Sequence, residues 1–141
     1  MDTIIGPDFP KKVIPLLDAA RKNIDIVSYD WRWYADRPGH AVQQLNVAIV
    51  RAVQRGVVVR AVLNAREFVP FLQIVGVKAR NLADRRTLHA KLILIDGATA
   101  VIGSHNLTSN AFAVNIEASV VVDIPEGNTR LQEFFNNLYG L

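Results

Sequence analysis

A chain of 141 residues has the length of one domain, and with half of its residues hydrophobic it can bury a real core at that size. It contains no cysteine, which excludes a disulfide framework, a thiolate metal site and a thiol nucleophile. Sixteen basic residues against 13 acidic ones give a net charge of +3, a balance that permits an anionic partner without demanding one.

The N-terminal stretch MDTIIGPDFPKKV lacks a basic region followed by an apolar one, so it does not read as a signal peptide. No apolar run reaches the roughly 18 residues of a membrane helix. The chain therefore reads as soluble and cytoplasmic, with no membrane partner expected.

Residues 8–22 carry helical spacing at Val13, Leu16, Leu17 and Ala20. Residues 23–29, NIDIVSY, form a short predicted strand, and 31–39 a loop. A helix over 40–56 ends at a glycine. VVVRAVLN (57–64) is an apolar strand suited to burial on both faces. A short helix over 67–76 contains Pro70, which bends or delays it, and 77–82 reads as another strand. Strands follow at 88–95 and 98–104, then a helical turn at 106–112 and a strand at 117–124. A final helix over 125–140 places Leu131, Phe134, Phe135 and Leu138 on one stripe. Alternating helices and β-branched strands argue for an α/β fold, a mixed sheet sandwiched by helices, with residues 1–141 as a single domain.

The strand LHAKLILID (88–96) holds the unusual pattern. Leu88, Ala90, Leu92 and Leu94 share one face, whereas His89 and Lys91 share the other with Ile93 and Ile95. A lysine aimed at an apolar face is rarely there for structure, because burying it unpaired is costly. Asp96-Gly97 is a strong two-residue hairpin signal. With these two as the turn, Ile95 faces Ala98, Lys91 faces Ile102 and His89 faces Ser104. Opposed residues share a face, so His89, Lys91 and Ser104 are expected together, with Asn106 just past the strand end. Gly103 permits close approach of backbone or ligand. This set suits a phosphodiester. Imidazole is a nucleophile or proton carrier near neutral pH, and an ammonium and an amide N–H hold nonbridging oxygens. No carboxylate cluster accompanies them that would hold magnesium or calcium, so chemistry without metal or cofactor is expected.

Residues 89 to 106 read His-x-Lys, four residues, Asp, six residues, Gly-Ser-x-Asn. This resembles the HKD motif of the phospholipase D superfamily. Six identities at fixed spacing arise by chance on the order of 10⁻⁸ per starting point at average residue usage. NIDIVSY, AIVRAVQRGVVVRAVLN and NIEASVVV are similar to the family's first strand, helix–strand unit and post-motif strand. The resemblance implies that His89 forms a phosphohistidine and that Lys91 and Asn106 hold the phosphoryl oxygens. It further implies that Ser104 is a supporting polar group, that Glu117 orients the histidine, and that Asp96 is structural. One histidine attacks and a second protonates the leaving oxygen. A chain with one motif thus resembles the small bacterial endonucleases in which a homodimer assembles one composite site. Nucleic acid is then the expected substrate. A phospholipase or phosphatidyl transferase of the same superfamily, and a non-catalytic nucleic-acid-binding module, are the competing readings.

The stretch WRWY (31–34) departs from the family, where small hydroxyl residues are common. Trp31, Arg32 and Trp33 either stack on bases or sugars, pack at a dimer edge, or cover a loop. Thr108, with Ser109 and Asn110, is a candidate for the pocket wall. Arg85 and Arg86 read as a solvated loop, although they can also track a phosphate backbone. His105, by alternation, points away from His89 and reads as structural, and His40 reads as surface.

Overall fold

The computed structural model describes residues 1–141. Its strands are β1 (Asp2–Ile5), β2 (Asn23–Ser28), β3 (Val58–Leu63), β4 (Lys78–Asn81), β5 (Leu92–Ile95), β6 (Thr99–Gly103) and β7 (Ala118–Asp123). Its helices are α1 (Phe9–Asp18), α2 (Ala41–Gln54), α3 (Val69–Ile74), α4 (Ser109–Ala113) and α5 (Arg130–Tyr139), with a 3₁₀ turn at Gly6–Asp8. The sequence elements are all present with shifted or trimmed ends. β1 is an addition, since nothing in DTII distinguished a four-residue edge strand from an irregular leader.

The seven strands form one mixed sheet in the order β1-β7-β6-β5-β2-β3-β4. β2, β3 and β4 run parallel. β5 pairs antiparallel with β2, β6 with β5, β7 with β6 and β1 with β7. The C-terminal ends of β2 and β3 therefore lie at the same edge as the start of β5, the end of β6 and the start of β7. In open α/β sheets this is the edge where ligands bind.

The two faces of the sheet are covered unequally. Ile24 and Ile26 of β2, Val59 and Ala61 of β3, and Ile93 and Ile95 of β5 pack with Val13 and Leu17 of α1 and Leu45 and Ile49 of α2 in a cluster of 27 buried residues. On the opposite face Val27, Val62, Leu88, Leu92, Leu94 and Ala100 gather under Phe135 of α5. Leu131 and Leu138 support Phe135, whereas Phe134 is 41% exposed and leaves the predicted stripe. The polar underside of α5 is closed by a pair that sequence alone did not reveal. Arg60 donates from Nε and Nη2 to the buried Asp25 carboxylate, both at 2.8 Å. Its guanidinium also lies 4.9 Å from the Phe135 ring centroid. No helix is long and apolar enough to cross a membrane.

The β5–β6 hairpin turns at Asp96 and Gly97, both in the left-handed region (φ 55° and 65°), as the Asp-Gly pair requires. The ladder nevertheless pairs Ile95 with Thr99 rather than Ala98. Ala98 is an extra residue, bonded through its N–H to Ile95 O and through its carbonyl to Ile124 N. The register is thus one residue off the sequence expectation. Since side chains alternate, one residue exchanges the faces of the returning strand.

Asp96 also accepts the backbone N–H groups of Arg21, Lys22 and Asn23, at 2.7 to 3.0 Å for the shorter contacts. Burial pushes its carboxyl upward, but these three N–H bonds outweigh that and hold it below the ordinary value. A depressed carboxyl stabilises the fold above the unfolded-state value and loses that contribution as pH falls through the folded one. We predict that Asp96→Ala destabilises the protein by about 3 kcal/mol, the worth of hydrogen bonds to a charge. Its stability should also fall less on acidification than that of the wild type. Chemical denaturation at neutral and acid pH measures both.

Candidate active site

β5 begins at Leu92, so His89 and Lys91 lie in the irregular segment that leads into it rather than in the strand itself. The alternation still holds. Leu88 is buried with Leu92 and Leu94 beneath α5, while Lys91 turns to the helix-packed face. The segment is held by Asn64, whose Oδ1 accepts the Leu88 N–H at 2.9 Å. His89 projects into solvent, and the edge of Tyr29 approaches it with ring centroids 6.1 Å apart.

Lys91 Nζ donates to the His89 carbonyl at 2.7 Å and sits 3.3 and 3.4 Å from the two ring nitrogens. The ammonium therefore caps the imidazole instead of bonding to one nitrogen. Burial lowers the Lys91 pKa, and the nearby Glu117 carboxylate opposes that shift. Glu117 makes no hydrogen bond to His89. Within one chain it acts on the ammonium beside the histidine.

Asn106 is oriented by its oxygen. Oδ1 accepts the Asp30 N–H at 3.3 Å and lies 3.3 Å from Ser28 Oγ. A backbone N–H can only donate, so the amide is fixed with Nδ2 away from Asp30. That Nδ2 has no partner in the chain, so two donors remain for a ligand at the edge where Lys91 and His89 stand.

Two expectations are corrected by the one-residue register shift. Ser104 does not face His89. Its hydroxyl accepts the Ala118 N–H at 3.1 Å and donates to Ala118 O at 3.3 Å, tying β6 to β7. His105 does not point away from the site, because it lines an internal chamber shared with Lys91, Ser28 and Ser119. Its Nε2 donates to Gly6 O at 2.8 Å, which leaves Nδ1 to accept from Ser119 Oγ at 2.7 Å. Burial lowers its pKa, and the ring lies tilted against Phe9 with centroids 4.6 Å apart. The close approach at Gly103 is to backbone. A Cβ there would stand 2.4 Å from Ser119 Cα.

The WRWY stretch divides by residue. Trp31 is not a substrate contact. It is 1% exposed and its Nε1 donates to Asn46 Oδ1 at 2.6 Å. A tryptophan that can satisfy its N–H inside is a core residue, and Asn46 shares the buried face of α2 with a second polar side chain, Gln43. Arg32 and Trp33 do line an open cleft of about 350 Å³, together with Tyr34, Phe68, Thr108, Ser109, Asn110 and Asp30. Arg32 is neutralised there by Asp30 at 2.7 Å and Glu67 at 2.8 Å. Thr108 also caps α4 by accepting the Ala111 N–H. The cleft adjoins Asn106 through Asp30. Arg86 is paired to Asp84 in an exposed loop. His40 stacks on Tyr34 at 4.0 Å and caps α2 through Nδ1. Sequence reasoning did not single out Ser28, Tyr29 or Asp30, although all three close the first strand beside the motif. No three His, Asp or Glu side chains come together in a way that could hold a metal ion.

Residues 13–139 match the family model described as "Cardiolipin synthase, PLD-like domain". The chain belongs to the phospholipase D superfamily. Cardiolipin synthase B of Escherichia coli K12 is 26% identical over 144 residues, covering 93% of this chain and 32% of that protein. Cardiolipin synthase A of Pectobacterium carotovorum is 29% identical over 124 residues, covering 74% of this chain and 24% of the relative. The chain thus spans about a third of the curated relatives it matches, or less. Among solved structures, Nuc from Salmonella typhimurium, a phospholipase D family member, superposes with a TM-score of 0.80 at 22% identity, covering 99% of this chain and 94% of that one. NucT from Helicobacter pylori superposes with a TM-score of 0.75 at 16% identity, covering 97% and 93%. These likenesses establish the phospholipase D fold for the whole chain.

Trp31→Phe should lower stability by about 1–3 kcal/mol by leaving the buried Asn46 oxygen unpaired, with KM for a phosphodiester substrate unchanged. Thermal denaturation and steady-state kinetics separate the two effects.

Proposed function

We propose that the protein is a metal-independent phosphodiesterase, an endonuclease that cleaves DNA or RNA through a phosphohistidine in a homodimer. The observation that carries this reading is the pairing of a solvent-exposed His89 capped by the Lys91 ammonium with the unpartnered, oriented amide of Asn106. The imidazole attacks phosphorus in line, forming a P–N bond. The P–O bond to the leaving group breaks as the second histidine, the partner subunit's His89, gives that oxygen a proton. Water then attacks the phosphoenzyme, losing its proton to the second imidazole, and His89 is released. Lys91 and the Asn106 amide donate to the nonbridging oxygens, where charge accumulates in the transition state. Glu117, through its field at Lys91, opposes the lowering that burial imposes on that ammonium. The Arg32–Trp33–Thr108 cleft receives the sugar or base next to the scissile phosphate, with Trp33 as the stacking ring. The nuclease reading is supported by the small fold, coextensive with Nuc and NucT, and by the net positive charge.

A second reading, phosphatidyl transfer, is favoured by the family description and by the cardiolipin synthases among the relatives. In that reading an alcohol replaces water in the second step at the same residues.

Plasmid and single-stranded oligonucleotides incubated in EDTA should be cut by the wild type and not by His89→Ala. Lys91→Ala and Asn106→Ala should each cost about 3 kcal/mol, roughly a hundredfold in kcat, the worth of one oxyanion donor. Hydrolysis or headgroup exchange in liposomes, with nucleic acid untouched, moves the assignment to the lipid reading. Trp33→Ala should raise KM for oligonucleotides with little change in kcat, as the loss of one base stack worth about 1–3 kcal/mol. An unchanged KM removes the cleft from the substrate path.

A further inference from the structure

Ile116 is 102% exposed and Val114 is 72% exposed. They stand on a short ridge between α4 and β7, immediately before Glu117. The ridge is built rather than loose. The N–H groups of Val114 and Asn115 both bond to Asn110 O, the latter at 2.7 Å, and Glu117 O accepts the Gly6 N–H at 3.0 Å. One residue from Ile116, Glu117 acts on Lys91, whose Nζ touches His89. Two branched apolar side chains are thus held in water one residue from the site.

Charge decides what covers them. From Leu92 to Thr129 the chain contains four carboxylates, Asp96, Glu117, Asp123 and Glu126, and no lysine or arginine. A surface that sits on anionic lipid or tracks a phosphate backbone needs basic residues beside its apolar ones. The segment that carries the ridge has none. The site itself holds one reactive imidazole, and the chemistry above uses two.

We propose that the Val114–Ile116 ridge is the contact through which a second copy of this chain docks, ridge against ridge across a two-fold axis that brings the two His89 residues to one phosphate. This inference rests on the two-chain reading of the site and adds which surface builds it. An isologous contact suits the ridge because an apolar knob placed near the axis meets its own counterpart, and each contact is made twice.

The absence of cysteine makes the test direct. Ile116→Cys should form a disulfide-linked dimer on mild oxidation and return to the single chain on reduction. Ile74→Cys, also strongly exposed, on α3 at 82%, should not. Ile116→Glu, at a position that packs against nothing in the single chain, should keep the wild-type melting curve. In light scattering it should require at least a hundredfold more protein to dimerise. Its turnover should fall at low protein concentration and recover at high concentration. A wild type that is dimeric, with Ile116→Glu equally dimeric or Ile116→Cys not linking, overturns the ridge and leaves the two-chain reading standing on another surface. A wild type that is monomeric at every concentration overturns both. Sedimentation of the wild type with liposomes, lost in Ile116→Glu, gives the ridge to a membrane and overturns the proposal.

Discussion

Three consecutive backbone N–H groups, those of Arg21, Lys22 and Asn23, converge on one carboxylate, that of Asp96. Asp96 returns its own N–H to Asn23 O. This clasp joins the tip of the β5–β6 hairpin to the first residue of β2, across more than seventy positions of sequence. It fixes Ile24 opposite Ile95 and, three pairs on, Val27 opposite Leu92. The far end of the same ladder is where Lys91 leaves β5 and Ser28 ends β2. The motif aspartate thus works at the opposite edge from the motif histidine. It sets the register on which the approach of Lys91, Ser28 and Asn106 depends.

The site is assembled from strand ends that a mixed sheet brings to one edge. A wholly parallel sheet would place only strand C-termini there. Because β5 and β7 run against β2, their starts arrive at the same edge, and His89, Lys91 and Glu117 come with them. Each strand delivers one group of the proposed site. β2 brings the clamp on Asn106, β5 the imidazole and ammonium, β6 the amide, and β7 the carboxylate. The two layers beneath are unequal, and the charge in the thinner one is paired. Asp25 is wholly buried, and removal of Arg60 would leave it uncompensated, a far larger loss than the pair itself contributes.

Much of this was legible because local rules and tertiary structure agree. The Asp-Gly turn, the alternation that sends Leu88 and Lys91 to opposite faces, and the helix stripes all reflect periodicity and burial. The misreadings have particular causes. Ala98 adds one residue beyond a correctly placed turn, and no local propensity distinguishes a two-residue connection from one with a bulge. That single residue exchanged the places of Ser104 and His105. Trp31 was read with Arg32 and Trp33 as a unit, yet its partner Asn46 lies on a helix fifteen residues away, and a hydrogen bond of that kind leaves no periodic trace. β1 is too short to carry a pattern and exists because β7 offers it an edge. Asp25 and Arg60 sit in separate apolar strands, where each alone looks like an exposed strand charge.

The match to the family model begins at residue 13, but the physical unit begins earlier. Ahead of that boundary lie β1, which covers the β7 edge, Gly6, whose carbonyl receives the His105 proton, and Phe9, on which that ring rests. A fragment cut where similarity fades would retain every motif residue. It would also bare a β-edge and strand a buried N–H directly behind the Gly-Ser-x-Asn turn. The border drawn by the family model and the border drawn by hydrogen bonding differ here by about one turn and one strand.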